Sequence, residues 1–358
     1  MPTALEIAIQ RNAPMSLGVL RQVISNVPLF AAFDMRTTER TRFKTLVIVG
    51  LPDVDPFVNL GDGFSRGKAT LALREFACSY MGGNVVVQLD VAREWQAENQ
   101  DLDFGYFELQ ASTRIEADLQ KVEKQIIYGT AINSKGFPGL KQMTPGTLSA
   151  NVMSMTDTPD DSDFTRTVIN AGGSTSNTAS SVYSIRFGTL DCQLVMGGTS
   201  GNSELFQFGE RRIQSMPPDA AKPNELAEHE IAQYSGHIGL SVAGFSGTEG
   251  TLVPGQYCVR RLANLTPQAD CGVDDYKLEK LILSHPENSR PSLLTMSMRS
   301  GDQWAKSRSA TGGVVFIGGM SGRDGTINRA PMRPTEYEGV PVVYTRSIRN
   351  NDAIEVPA

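Results

Sequence analysis

Residues 103–143 read DFGYFELQASTRIEADLQKVEKQIIYGTAINSKGFPGLKQM, and how this stretch folds decides the architecture. Phe104, Phe107, Ala111, Ile115, Leu119, Val122 and Ile126 recur at steps of three or four residues. That spacing lays them along one face of an α-helix. The other face carries Glu108, Arg114, Glu116, Asp118, Lys121, Glu123 and Lys124, with Arg114 and Asp118 one turn apart and of opposite charge. Gly129 follows Tyr128 where a helix end is expected, and Gly136, Pro138 and Gly139 forbid continuation. The spacing predicts a helix over 103–128, roughly 39 Å long at about 1.5 Å per residue. Few single domains need a strut of that length.

Upstream, residues 46–90 read as a long hairpin. TLVIVGL leads into the loop PDVDPFVNLGDGFSRGK, and ATLALREFACSY and NVVVQLDV follow with strand-like alternation. The loop sets Phe57, Val58, Leu60 and Phe64 among Asp53, Asp55, Asn59, Asp62, Arg66 and Lys68. Large apolar side chains on a long polar loop either pack on one another locally or wait for a partner. Before the hairpin, Leu17, Leu20, Val23, Ile24 and Val27 predict a short helix over 16–27 that Pro28 ends. Residues 1–45 are too short to build a core of their own and read as an arm.

Downstream, a Gly- and Ser-rich turn separates 167–170 from a β-rich run over 182–196, which predicts a second hairpin. Residues 215–235 read as a proline-bounded polar insertion. Strand patterning resumes in GHIGLSVAGFSG and GQYCVRRLANL, and 274–283, DDYKLEKLIL, predicts a helix with an acidic first turn. SLLTMSMRS and GGVVFIGGM read as buried strands, and a last strand lies in VPVVYTRSIRNNDAIEV. No internal repeat is present.

With 358 residues, 40% of them hydrophobic and 20% charged, the chain can bury a sizeable core. Its 34 glycines and 19 prolines fall in many short clusters, so more strand than helix is expected. A formal net charge of -6 with no long basic block argues against a protein whose main task is gripping nucleic acid. No apolar run is long enough to cross a membrane and MPTALEIAIQRNAP lacks the features of a secretory signal, so a soluble chain of cytoplasmic origin is expected. Cys78, Cys192, Cys258 and Cys271 are far apart, without a Cys-x-x-Cys pair, and read as unpaired structural thiols.

The usual catalytic constellations are missing. Gly63-Phe64-Ser65-Arg66-Gly67 matches the nucleophile-elbow pattern, but that motif needs a strand before it and a helix after it. The available bases, His229, His237 and His285, come with no orienting acid. Asp53, Asp55, Asn59 and Asp62 do not follow the spacing of a calcium loop, and three scattered histidines do not make a zinc site. The glycine-rich 172–175 and 197–201 lack the register of phosphate cradles and read as turns. Trp95 and Trp304 stand alone and read as buried anchors. No catalytic residue, cofactor or metal is expected; arms, an exposed loop and a strut point to assembly.

In their order, the arm, the hairpin, the long helix, its follower YGTAINSKGFPGLKQM and the segment TRTVINAGGSTSNTASSVYSIRFG resemble the tailed-bacteriophage major capsid proteins of the Hong Kong 97-type fold. The resemblance covers residues 15–356. It implies an α+β fold with an N-terminal arm at 1–45 and an extended hairpin loop at 46–90. A peripheral domain at 91–165 would hold the spine helix 103–128, with a β-rich peripheral region at 166–265 containing the insertion 215–235. An axial domain at 266–340 and a C-terminal strand at 341–358 complete it. The implied function is a shell subunit that self-assembles around double-stranded DNA, as hexamers and pentamers of many copies, within a virion assembled in the host cytoplasm. Implied partners are a portal, a decoration protein as an optional addition, and DNA touched weakly and non-specifically; no membrane is involved. No long charged helical extension precedes the arm, which implies a separate scaffolding protein. Some relatives crosslink a lysine to an asparagine, but nothing pairs Lys68 with a suitable buried acid, so that chemistry is not carried over.

Under this reading Phe57, Val58, Leu60 and Phe64 bury themselves on a neighbouring copy, while Arg66 and Lys68 pair with its acidic groups. Arg114 and Glu116 on the outward face of the helix are further intersubunit candidates. Two other readings stand beside it: a different virion subunit, such as a tail-tube protein, and a serine hydrolase using Ser65.

Overall fold

The computed structural model describes residues 26–38, 40–50, 57, 67–68, 70–99, 105–144, 152–156, 166–188, 191–197, 206–217, 226–242, 258–285, 290–310 and 333–355. In chain order come α1 (Pro28–Ala32), β1 (Met35–Thr38), β2 (Arg42–Gly50), β3 (Thr70–Ala77), β4 (Ser79–Gln88), α2 (Leu89–Glu98) and α3 (Tyr106–Tyr128). Next are α4 (Leu140–Met143), β5 (Val152–Ser154), β6 (Val168–Asn170), β7 (Ser180–Ile185), β8 (Cys192–Gly197), β9 (Gln207–Phe208), β10 (Arg212–Met216), β11 (Ala227–Val242) and β12 (Val259–Leu265). The chain closes with α5 (Asp275–Leu283), β13 (Leu293–Ser297), α6 (Met298–Ala310), β14 (Glu336–Tyr337) and β15 (Val340–Thr345). Contacts divide it into two compact units. One draws on Met1–Phe43, Glu75–Pro138 and Gln193–Ser241; the other draws on Lys44–Arg74, Gly139–Cys192 and Val242–Ala358.

The first unit is built on α3. Its 23 residues span about 35 Å at 1.5 Å per residue. Phe107, Ala111, Ile115, Leu119, Val122 and Ile126 are all buried, as their spacing requires. Phe104 lies outside the described residues. The Glu108 carboxylate accepts from the Gly105 amide at 3.3 Å, satisfying a donor that the first turn leaves without a helical partner. Gly129 ends the helix with φ +59°, a left-handed conformation that costs glycine nothing. The helix packs against α1 and β4. β4 runs antiparallel to β11 over ten residue pairs, from His229 opposite Gln88 to Ile238 opposite Ser79, and the rest of the sheet runs β1-β8-β11-β10 with β9 also on β11.

A seven-stranded sheet, β14-β15-β13-β7-β12-β6-β5, forms the heart of the second unit. Its central strands β13, β7 and β12 are buried at every position. α5 begins as predicted: Asp274 caps it by accepting from the Lys277 amide at 2.8 Å. Trp304 of α6 is fully buried, donates to Asp275 Oδ1 at 2.6 Å, and meets the Tyr337 ring edge-on at 5.7 Å. It is one of the two anchors that the sequence suggested; the other, Trp95 on α2, is only half-buried, beside the Tyr106 ring.

Four expectations need correction. Residues 167–170 and 182–196 do not form a hairpin, because β12 lies between β6 and β7, pairing parallel with one and antiparallel with the other. The run over 182–196 is itself broken, β7 and β8 joining different sheets. Residues 227–235, assigned to a polar insertion, are the first half of β11, which pairs with β4 and buries His229, Ile231, Ala232 and Tyr234. The stretch SLLTMSMRS is strand only to Ser297; α6 follows at once, with the Ser297 hydroxyl accepting from the Ser300 amide at 3.1 Å in the manner of an N-cap. Pro28 also opens a helix, α1, where its fixed φ and missing N–H fit the first turn.

α6 lies close on β15. A Cβ on Gly301 would sit 2.3 Å from Tyr344 Cε1, and the Tyr344 hydroxyl is tied to the Pro334 carbonyl, so the ring cannot simply swing away. We expect Gly301→Ala to destabilise the protein by about 1–3 kcal/mol, the usual cost of overpacking, as a lower urea midpoint with an unchanged slope.

Candidate intersubunit surface

Among the described residues β2 and β3 pair only with each other. A two-stranded ribbon is at best marginally stable in water, so its base must be held. Phe43 and Phe76 pack with Val195 there, and the Arg36 guanidinium lies 5.0 Å above the Phe43 ring. Arg42 pairs with Glu75 at 2.8 Å and the Cys78 amide donates to Thr41 O at 2.9 Å. The exposed ion pair adds little beyond direction; burying the two phenylalanines does most of the holding.

Beyond the base, the ribbon presents apolar side chains to water. Phe57 is 86% exposed and Leu73 62%, and Lys68 is exposed as well. Val58, Leu60, Phe64 and Arg66 lie outside the described residues, as does Ser65. The helix that a nucleophile elbow requires after its serine is replaced by the strand β3. Of the three histidines, His285 sits beneath the surface with Nε2 at 2.6 Å from Ser184 Oγ, His229 Nδ1 lies 3.0 Å from Ala227 O, and His237 faces the Tyr80 ring. Cys78 and Cys271 are free thiols. Among the described residues no cluster of metal ligands occurs, and no helix is long and apolar enough to cross a membrane.

Arg114, Glu116 and Asp118 of α3 have partners within the chain, while Glu123, which the sequence pattern placed on the polar face, is buried instead. Arg114 Nε donates to the Tyr234 hydroxyl at 3.3 Å and stands 3.7 Å from Asp118, the ion pair that the four-residue spacing predicted. Tyr234 donates in turn to Asp118. Burial, together with this hydrogen bond to a carboxylate, pushes the Tyr234 phenol up to about 12. Glu116 accepts from Asn26 Nδ2 at 2.6 Å and from Gln120 Nε2 at 3.2 Å. Arg114 and Glu116 therefore fix α3 to its own surroundings, whatever else they meet.

Sequence reading missed several exposed apolar groups. Tyr80 and Val86 sit on β4, Ile213 on β10, and Leu226 before β11. β10 has no buried residue at all. Its signal was weak: a five-residue strand without alternation is not distinguishable from loop by pattern.

No family model matches the sequence, and no curated protein matches it. Among solved structures, a chain from the near-atomic structure of bacteriophage Epsilon15 superposes with a TM-score of 0.52 at 13% identity, covering 91% of this chain and 88% of that one. The procapsid of bacteriophage JBD30 gives a TM-score of 0.39 at 9% identity over 93% and 100% of the two chains. The SrpI encapsulin complex from Synechococcus elongatus PCC 7942 gives 0.39 at 13% identity over 72% and 94%. The fold is therefore that of the phage chain, the α+β Hong Kong 97-type class that the sequence resembles.

Tyr234→Phe leaves the ring in place and deprives Asp118 and Arg114 of a shared partner. We expect it to cost about 1–3 kcal/mol of stability near neutral pH, read by chemical denaturation, with Arg114→Lys milder.

Proposed function

We propose that this chain is the major capsid protein of a tailed bacteriophage, the repeating subunit of a closed icosahedral shell around double-stranded DNA. One observation carries the reading: the fold is that of a bacteriophage Epsilon15 chain over nearly its whole length, and it has a ribbon on which Phe57 and Leu73 are largely exposed. An isolated soluble protein gains nothing from holding Phe57 in water. A subunit that must meet copies of itself does.

In this reading α3 is the spine, and the ribbon from 46 onward reaches a neighbouring copy. Phe57, Val58, Leu60 and Phe64 dock there while Arg66 and Lys68 meet acidic groups at the rim. Each docked aromatic contributes about 2 kcal/mol or more. Contacts of that size suffice because every copy makes and receives them. The same surfaces must meet at slightly different angles in hexamers and pentamers, which favours reaching ribbons over rigid faces. The net charge of -6 keeps packaged DNA from adhering tightly. A separate scaffolding protein, a portal and optional decoration proteins complete the assembly, and the particle forms in the host cytoplasm.

Electron microscopy of the purified chain tests this. We expect closed shells; tubes or rings would assign the chain to another part of the virion. The double variant Phe57→Ser, Phe64→Ser should keep its circular dichroism and melting transition but yield free subunits or capsomers. Normal particles from that variant would remove the ribbon from the account.

A further inference from the structure

Residues 350–355, NNDAIE, cross the second unit held almost wholly by polar contacts. Arg299 Nη1 donates to Asn350 O at 2.9 Å, and its Nη2 reaches Thr178 O at 2.7 Å. Ala179 and Asp352 exchange backbone hydrogen bonds at 3.2 and 3.0 Å. Lys141 Nζ lies 3.0 Å from Asp352 and 3.3 Å from Glu355, and Arg261 Nη2 lies 2.6 Å from Glu355. Asn264, held in the left-handed region at φ +58°, reads the backbone of Glu355 with both ends of its amide: Nδ2 donates to Glu355 O at 2.7 Å and Oδ1 accepts from Glu355 N at 2.9 Å. Ile354 is only half-buried and Ala353 is exposed, so no large apolar side chain anchors the segment.

The receptor beneath it is held independently. Arg261 also donates to Thr144 O at 3.0 Å and Ser181 Oγ at 3.2 Å, and it lies on β12, which is buried throughout. Two kinds of stability thus meet here: apolar burial in β7 and β12, and charge pairing in the strap. We propose that residues 350–355 form an electrostatic strap that opens as a unit of its own, with the β7–β12 sheet intact, and so uncovers the cations Lys141 and Arg261. Ala353, Ile354 and Glu355 also line a groove of about 630 Å³ whose other walls include Asn170, Gly172 and Asn264, so opening the strap widens that groove into a cleft that takes in the cations.

Among the described residues, the charged and titratable groups facing the strap are Arg261, Lys141, Arg299 and the Tyr183 phenol, with Asp352 and Glu355 on the strap itself. Burial by itself raises the Glu355 carboxyl, but Arg261 and then Lys141 outweigh it and hold the group below the usual carboxylate range. Because the folded-state value is depressed, this stabilisation is complete above the ordinary glutamate value and is lost as pH falls through the folded one. Burial raises the Tyr183 phenol, which stays neutral throughout that window. Acid therefore loosens the strap, while apolar burial in the sheet is indifferent to it.

Hydrogen exchange of the full-length protein, read by mass spectrometry, tests the proposal without any assembly step. Glu355→Gln should raise exchange in 350–355 at neutral pH by about tenfold or more and leave β7 and β12 unchanged, and Lys141→Met should act the same way. Wild-type protein at about pH 3.5, below the ordinary glutamate value, should show the same pattern after correction for intrinsic rates. Strap and sheet rising together would make the segment part of one cooperative core, and a strap unmoved in both variants would mean that charge does not hold it; either result overturns the proposal.

Discussion

The first unit depends on covering one apolar stripe along the whole of α3. A helix of 23 residues carries little stability of its own in water, and most of what keeps it helical is burial of that stripe. Phe107, Ile115, Leu119, Val122 and Ile126 are all inside, each of the larger ones worth about 1.5–3 kcal/mol. The price of such a long straight element is that its partners must be long too. β11 is a 16-residue strand paired with β4 over ten residue pairs, and Tyr234 on β11 ties Arg114 and Asp118 of the helix to that sheet. The outward charges of α3 are thus part of what locates it.

Against that covered stripe stand Phe57 and Leu73 of the ribbon, both largely exposed. β2 and β3 are fastened at one end by Phe43 and Phe76 and present Phe57 and Leu73 beyond it. A molecule that buries one apolar series so thoroughly and leaves another in water has divided its surfaces into those used in folding and those left for association.

Much of this was legible in the sequence where the determinants are local. The 3.6-residue period and Gly129 marked α3, Asp274 and its acidic successor marked α5, and the polar loop studded with phenylalanines marked the ribbon. What failed was non-local. Nothing near residues 168–185 says that β12, some eighty residues on, will come between β6 and β7. α6 was hidden because Gly301 and several serines give it poor intrinsic propensity; it is helical because Trp304 is buried against Tyr337 and Ser297 caps it, and only the cap has a sequence signal. The clamp of Asn264 on Glu355 joins residues 91 apart and was out of reach for the same reason.

The central proposal is that Phe57 and Leu73 of the ribbon are largely exposed in the subunit because another copy covers them. A cryo-electron microscopy map of the assembled particle, resolved well enough to place side chains, tests it most directly. The account predicts that Phe57 is buried against a neighbouring copy in every crystallographically distinct position of the shell. A Phe57 that still faces solvent in the assembled particle would contradict it.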